Sequence, residues 1–515
     1  MSAADVDVAI VGYGPVGQAL AALLGGAGHR VAVYERFEEV YTLPRAVHLD
    51  HEIMRLLQSL GLADELADDF LPLRDYHWYG ADGEPLMTLD VPVPAPSGWE
   101  PDYLFHQPDL EAALDRRARR EPSVTVERGW TADGLEDCGD HIALSLRGTS
   151  SGDPRVVRAR WVVGADGANS FVLEARGIGR RDLGFRERWI VVDVEPHDMA
   201  AVDLPPACQW CDPTRPTTHI QSGTRHRRWE FMLLAGERAE DFADDRGIWE
   251  LLSPWFRPQD GVLTRHAVYE FRSVLAERMR DGRVLLVGDA AHLTPPFLGQ
   301  GLCSGLRDAV NVAWKLDLVL RGVSSDALLD TIDAERGPQN EAIIAIAIGL
   351  GRVLCELDAD AAAERDATVR AAGPPPAIEM PPLSGGAIGS DPLAGRLALQ
   401  GRVAGATSEG LLDDVTGGGF TLIVAEGDPD AALGEVDSEL LDALGVHRVS
   451  LGPAARCGVR DVDGRLGSWL AAHAVHAVLV RPDFYVFGSV SAPDDLPALV
   501  GDLRTHLSIA AKETS

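Results

Sequence analysis

Val6-Asp-Val-Ala-Ile-Val11 runs directly into Gly12-Tyr-Gly14-Pro-Val-Gly17. The first string is rich in Val and Ile and reads as a fully buried strand. The second opens a helical pattern over 16–27, and another strand follows over 30–34. This is a βαβ unit, so the fold class it predicts is α/β with a doubly wound parallel sheet. Gly12 permits the tight turn, Gly14 lets a pyrophosphate approach the backbone, and Gly17 lets helix pack on strand. The helix start at Pro15 and Val16 then turns unpaired N–H groups toward phosphates. Glu35 closes the second strand at the spacing of a ribose-binding acid, with Arg36 beside it.

Two later segments extend this sheet. The strand 161–163 enters Gly164-Ala-Asp166-Gly167-Ala-Asn-Ser170. The strand 284–287 enters Gly288-Asp289-Ala-Ala-His292 and continues through Pro295-Pro296 to Gly299-Gln300-Gly301. A long helix is expected from about Leu302 to Leu320. Asp289 then lies at a strand's carboxyl end, the usual ligand crevice. The backbone from Gly299 to Leu302 can point N–H groups at an anionic ligand atom. One such motif suits an ordinary turn between strand and helix; three in this order do not.

The chain has 515 residues, room for about three domains. Between the sheet segments, 186–271 looks β-rich, with runs such as Trp189-Ile-Val-Val-Asp193 and Trp229-Glu-Phe-Met-Leu-Leu234. Residues 371–395 are dense in Pro and Gly and read as a linker. Strand patterns at 419–424, 474–480 and 484–490 suggest a small third α/β domain. The divisions expected are 1–185, 186–272, 273–371, a linker over 372–395, and 396–515. The first of these divisions is expected to lend a small contribution to the β-rich layer.

Apolar residues make up 46% and charged residues 24%, as in a soluble globular enzyme. The formal charge of −32 argues against general affinity for nucleic acid or anionic membrane. No secretory leader is expected, and the apolar stretch 342–350 is too short to span a bilayer. Six cysteines in this length suit a reducing cytoplasm. Cys208-Gln-Trp-Cys211 could be a dithiol or half a zinc site, but nothing nearby completes one, so incidental thiols and no metal are expected.

The three motifs together resemble the single-component, class A flavoprotein aromatic hydroxylases, above all the 3-(3-hydroxyphenyl)propionate hydroxylase and phenol hydroxylase group. The likeness extends to Pro44-Arg45-Ala46, Arg188-Trp-Ile-Val-Val-Asp193, Arg228-Trp-Glu-Phe-Met-Leu-Leu234 and Leu411-Leu-Asp-Asp-Val415. It also takes in Leu479-Val-Arg-Pro-Asp483 and Tyr485-Val-Phe-Gly488, so it covers almost the whole chain. The resemblance implies an FAD-binding, Rossmann-like domain of the para-hydroxybenzoate hydroxylase type. A β-rich substrate domain would be inserted in it, and a thioredoxin-like domain would follow. The sole cysteine of that last domain is Cys457, which implies a structural or dimer-supporting role rather than dithiol chemistry.

By the same resemblance, Gly12, Gly14, Gly17 and Glu35 hold the ADP half of FAD, and Pro15, Val16 and Arg36 are cofactor-binding beside them. Asp289 binds the ribityl chain, and Gly288 belongs to the same cofactor-binding turn. Pro296, Gly299, Gln300, Gly301 and Leu302 lie against the flavin ring, and Arg45 and Gln107 touch the flavin or its ribityl chain. Asp166 belongs to a motif linked to both FAD and the nicotinamide. The family often carries basic residues after that Asp-Gly, whereas Asn169 and Leu173 stand here. NADH or NADPH would be the co-substrate, and a small aromatic ring and O2 the other partners. Oxygen transfer would proceed through a flavin C4a-hydroperoxide, and a homodimer is a further expectation.

A phenol reacts better once its proton is lost, so a nearby base helps. Tyr269 and His48 are the candidates for it, and Asp193 and Pro296 for contact with the ring. Each also suits a plain role: Tyr269 as core packing, His48 as a helix-start residue, Asp193 as a solvated strand residue. The substrate expected is a phenylpropanoid or simple phenolic acid. The alternatives are a larger polyketide-type aromatic and a flavin-binding protein without turnover. An NAD-dependent dehydrogenase would leave the late Gly-Asp segment unexplained. A flavin disulfide reductase needs an early cysteine pair, and the first cysteine is Cys138. A flavin halogenase would be expected to carry a WxWxIP string, and the sequence has none.

Overall fold

The computed structural model describes residues 4–39, 44–90, 94–452 and 458–509. Cys457, expected to be the only thiol of the last domain, lies outside the described residues.

Five strands form a parallel core in the order Val284–Leu286, Pro154–Gly164, Val6–Val11, Val31–Glu35, Val124–Arg128. Val11 pairs with Gly164 on one side and with Tyr34 on the other. The first strand is therefore central, and the chain leaves it in opposite directions. That arrangement opens a crevice at the strands' carboxyl ends. Its interior is apolar throughout: Val8, Ala9, Ile10, Val33, Val162 and Leu285 are fully buried. Helix Pro15–Gly26 and helix Gly301–Leu320 pack together over this sheet.

Gly12 has φ +102°, and a Cβ there would stand 2.3 Å from the Ala165 carbonyl oxygen. Only glycine fits that turn. A Cβ on Gly17 would meet the Gly12 carbonyl oxygen at 2.3 Å, so strand, turn and helix close on one another.

A second sheet of eight strands stands beside the first. Its longest members, Arg180–Pro196 and Gly261–Ala276, are antiparallel and run across the divisions drawn from sequence at 186 and 272. His226–Met232, Thr217–Ser222 and Ala207–Trp210 follow in order, Asp75–Tyr79 and Pro85–Asp90 add to them from the first part of the chain, and His292–Leu293 pairs with Gly261–Ala276 at the other edge. Strand alternation sorts the residues by face. Trp229 and Phe231 pack under helix Asp245–Leu252, while Arg228 and Glu230 point the other way, toward the parallel sheet.

The third unit is a four-stranded sheet ordered His447–Ser450, Thr421–Val424, Ala477–Val480, Val486–Val490, flanked by helices. The strand His447–Ser450 carries little pattern in sequence. Its core is shared with the first unit, because Trp314, Leu318 and Leu328 pack against Phe420, Leu422 and Leu479. Past the end of helix Ala359–Ala372, the segment read as a linker has no regular structure but is not loose: Leu383, Ala387 and Ile388 are buried, and residues 377–382 form part of a cavity wall. Among the described residues no helix is long and apolar enough to cross a membrane.

Candidate active site

A cavity of about 940 Å³ lies between the parallel sheet, the second sheet and the third unit. Its floor comes from the three loops at the carboxyl ends of the parallel strands: Gly14 to Val16, Ala165 with Gly167, and Asp289. Pro296 and Gly299 to Leu302 line it at the start of helix Gly301–Leu320. Arg45, His48 and Gln107 also reach it.

Two features fit these loops to a dinucleotide. A Cβ on Gly14 would meet nothing within 4 Å, so open space lies against the backbone before the N-terminus of helix Pro15–Gly26. An anionic group can reach the unpaired N–H groups there. Asp289 makes no hydrogen bond with any described residue, and it is open to the cavity. Desolvation by the surrounding protein pushes its pKa up, with His292 and Arg45 opposing. A carboxylate open to the cavity and without a donor from the described residues is free to accept hydrogen bonds from ligand hydroxyls. The residues present therefore fit FAD.

The remaining candidates have set places. Glu35 accepts hydrogen bonds from the backbone N–H of Tyr13, 2.8 Å, and of Phe37, 2.9 Å, and Arg36 is exposed beside it. Gln107 Oε1 accepts from the N–H of Arg45 at 2.8 Å and of Ala46 at 2.6 Å, fixing the approach to the cavity. Asp166 accepts from Ser170 Oγ at 2.6 Å and from the Val172 N–H at 3.0 Å, so it braces the start of helix Phe171–Ala175. The N–H of Gly288 donates to Asp308, 2.9 Å away, which holds that turn rather than the cavity wall.

His48 has both nitrogens engaged. Nε2 meets Asp102 Oδ1 at 2.8 Å, and Nδ1 meets the Gly299 carbonyl at 3.2 Å. Burial disfavours the imidazolium, but the Asp102 carboxylate outweighs it and lifts His48 well above its usual range. A charged His48 donates from both nitrogens, so it braces Gly299 rather than standing ready to take a proton. Gly299 is left-handed at φ +68°, and a Cβ there would lie 2.6 Å from His48 Nδ1.

Asp193, expected to face the ring, does not line the cavity. Its cross-strand neighbours are Arg228 and Arg265, and both arginines bind it. Arg228 Nε meets Oδ1 at 2.7 Å, and Arg265 Nη1 meets Oδ2 at 3.3 Å. Arg228 also donates to the carbonyls of Pro44 and Arg45, at 2.7 and 2.5 Å. Asp193 thus orients the arginine that pins the Arg45 turn. Tyr269 is half-buried two residues from Phe271, on the same strand face, with the Arg265 guanidinium 5.2 Å from its ring centre. Phe271 lines the cavity and stacks edge-on against Phe297, 6.1 Å between ring centres. Cys208 and Cys211 are buried free thiols whose pKa values burial pushes up, Cys211 to about 12.

The structure adds residues that the sequence reading did not single out. Tyr76, Gln209, Thr218 and Glu230 line the cavity from the second sheet, and His51 lines it from the other side. Gln209 donates to the Tyr76 hydroxyl and accepts from Thr218. A signal for Glu230 did exist: charged Arg228 and Glu230 alternate with aromatic Trp229 and Phe231 in one strand. Such a pattern marks a strand whose polar face turns toward a site rather than toward a core.

Residues 5–347 match the family model for the FAD binding domain, and residues 395–506 match that for the HcaD C-terminal domain. A probable NADH-specific resorcinol 4-hydroxylase of Rhodococcus jostii (strain RHA1) is 39% identical over 507 residues, 97% of this chain and 94% of that protein. A 3-(3-hydroxy-phenyl)propionate/3-hydroxycinnamic acid hydroxylase of Burkholderia cenocepacia (strain HI2424) is 34% identical, covering 98% of this chain and 97% of that one. Among solved structures, aklavinone-11 hydroxylase in complex with FAD and aklavinone superimposes with a TM-score of 0.79 at 27% identity. That match covers 98% of this chain and 100% of the other.

Proposed function

The chain belongs to the FAD binding domain family, as a class A flavoprotein aromatic hydroxylase, and on that premise we propose that it hydroxylates a small phenol with NADH as reductant. One observation carries the reading: the loops that fit FAD and the polar face of the second sheet line a single continuous cavity. Bound FAD supplies the transfer of electrons from NADH to dioxygen, from which one oxygen atom goes to the ring.

The places of the protein's own residues support the following roles. The start of helix Pro15–Gly26 receives the pyrophosphate, Glu35 the ribose and Asp289 the ribityl hydroxyls. The N–H groups at Gly299 to Leu302 favour negative charge on the reduced cofactor. Phe271, Phe297 and Pro296 supply apolar walls that exclude water. Tyr76 and Gln209 offer polar contacts to a ring hydroxyl, and Tyr269 helps orient the ring from the same strand as Phe271.

Likeness to the resorcinol and phenylpropionate hydroxylases favours a one-ring substrate. Likeness to aklavinone-11 hydroxylase supports a polycyclic aromatic as the second reading. A cytoplasmic place fits the five described cysteines, all free thiols, and a homodimer is the assembly to check by sedimentation. The test is direct. Purified protein should be yellow, oxidise NADH faster with phenols present, and yield a product heavier by one oxygen. Colour without stimulated oxidation across one-ring and polycyclic phenols would leave a flavin-binding protein without turnover.

A further inference from the structure

Resting on that reading, we propose that Glu230 is the catalytic group that receives the proton of the substrate's ring hydroxyl. Its chamber takes an uncharged hydroxyarene rather than a ring bearing a carboxylate.

Glu230, Thr218 and Gln209 stand side by side in register across three strands, and Tyr76 comes from the next. Thr218 and Gln209 satisfy one another, and the Gln209 amide donates to Tyr76. The Tyr76 hydroxyl keeps its own hydrogen to give. Glu230 accepts no hydrogen bond from any described residue, although it is only 8% exposed and that surface faces the cavity. Arg228 Nη1 lies 3.8 Å from its carboxylate, too far for a hydrogen bond, and already donates to the Arg45 carbonyl. These four residues therefore present one unspent acceptor, Glu230, and one unspent donor, Tyr76.

A ring hydroxyl matches both, since it donates to Glu230 and accepts from Tyr76. A substrate carboxylate only accepts and would be repelled by Glu230. It would find Arg228 occupied by Asp193 and by the Pro44 and Arg45 carbonyls. Arg396 also lines the cavity, from the third unit, and is the residue through which a carboxylate could still be held.

The charged and titratable groups around Glu230 are Arg228 on its own strand, Asp193 and Arg265 on the two strands beyond, and Tyr76. Burial raises its pKa, with Arg228 opposing, which strengthens it as a base. In the step, the substrate O–H bond breaks and a bond forms between that proton and a Glu230 oxygen. The electron pair stays on the ring oxygen and enriches the ring as it is oxygenated. The proton then leaves to water.

The test uses FAD-loaded enzyme with NADH, resorcinol and 3-(3-hydroxyphenyl)propionate. In Glu230→Gln, hydroxylation should fall about 100-fold or more, and the loss of activity toward acid pH should vanish from the kcat/KM profile. Glu230→Asp should keep that acid limb. The wild type should favour resorcinol by about tenfold or more in kcat/KM. Hydroxylation within about threefold of wild type in Glu230→Gln, with an unchanged profile, overturns the proposal. If Glu230→Gln does not retain FAD, the wild type decides: a preference for the carboxylate-bearing ring, or a flat acid profile, overturns it. A wild type that no phenol stimulates overturns instead the function on which the proposal rests.

Discussion

Asp289 and Asp193 are both aspartates at the edge of the site, yet their surroundings give them opposite work. Asp289 has no donor among the described residues and is open to the cavity, so it is free to accept hydrogen bonds from a ligand. Asp289→Ala should weaken FAD binding about tenfold or more, on a value of roughly 1.5–3 kcal/mol for hydrogen bonds to a charged group. Titration of flavin fluorescence would measure it. Asp193 has its donors in Arg228 and Arg265, so its loss should instead loosen the Arg45 turn. His48 makes a pH prediction. Its folded pKa is raised above the usual 6.5, so its pairing with Asp102 stabilises fully below about pH 6.5 and fades as pH rises through the folded value. His48→Gln should therefore cost about 1–3 kcal/mol near pH 6, and the gap in Tm should narrow on alkaline titration. A gap that widened would contradict the imidazolium. His48 was legible in sequence as a residue near the flavin, but its charge state depends on Asp102, fifty-four positions away.

At the level of the element, the turn between the first strand and first helix separates fold from ligand. Gly12→Ala places a Cβ 2.3 Å from a backbone oxygen at φ +102°. It should destabilise even the flavin-free protein, by about 2–5 kcal/mol from backbone strain and overlap combined. Gly14→Ala meets nothing within 4 Å and has extended backbone. Flavin-free Tm should hardly change, while FAD affinity drops because the methyl occupies the space open to the pyrophosphate. Thermal melts with and without FAD would show both. These glycines were legible because the motif's spacing and the strand before it are local. The strand 226–232 was only half legible: its alternation is visible, but which face meets the cavity depends on the helix Asp245–Leu252 covering the other.

Across the whole molecule, the third unit is joined to the flavin-binding part by buried charge. Arg481 meets Glu335 at 2.7 Å and Asp483 at 2.5 Å, Lys315 meets Glu335 at 2.8 Å, and Trp314 Nε1 donates to Asp483 at 3.0 Å. Arg481→Ala would leave two carboxylates short of their partner, which should cost about 3–5 kcal/mol. Because apolar residues of both parts also share one core, calorimetry should show one transition in the wild type rather than two. Arg481 and Asp483 stood out in sequence only as part of a string; their partners lie on helices more than a hundred residues earlier. The 377–382 segment teaches the same point, since its Pro and Gly content describes a chain without regular structure and leaves open what it covers.

By itself the sequence determined the βαβ unit, the flavin loops and their order, because turns, strand runs and helix starts are set by neighbouring residues. Only the tertiary structure decided which polar groups are spent and which are free. Asp193, Glu230 and Asp289 are alike in sequence as carboxylates near a motif; cross-strand register gives the first two arginines, and leaves the others facing the cavity. A hydrogen bond needs its partner within about 3 Å, and the residues that come that close here are mostly distant along the chain.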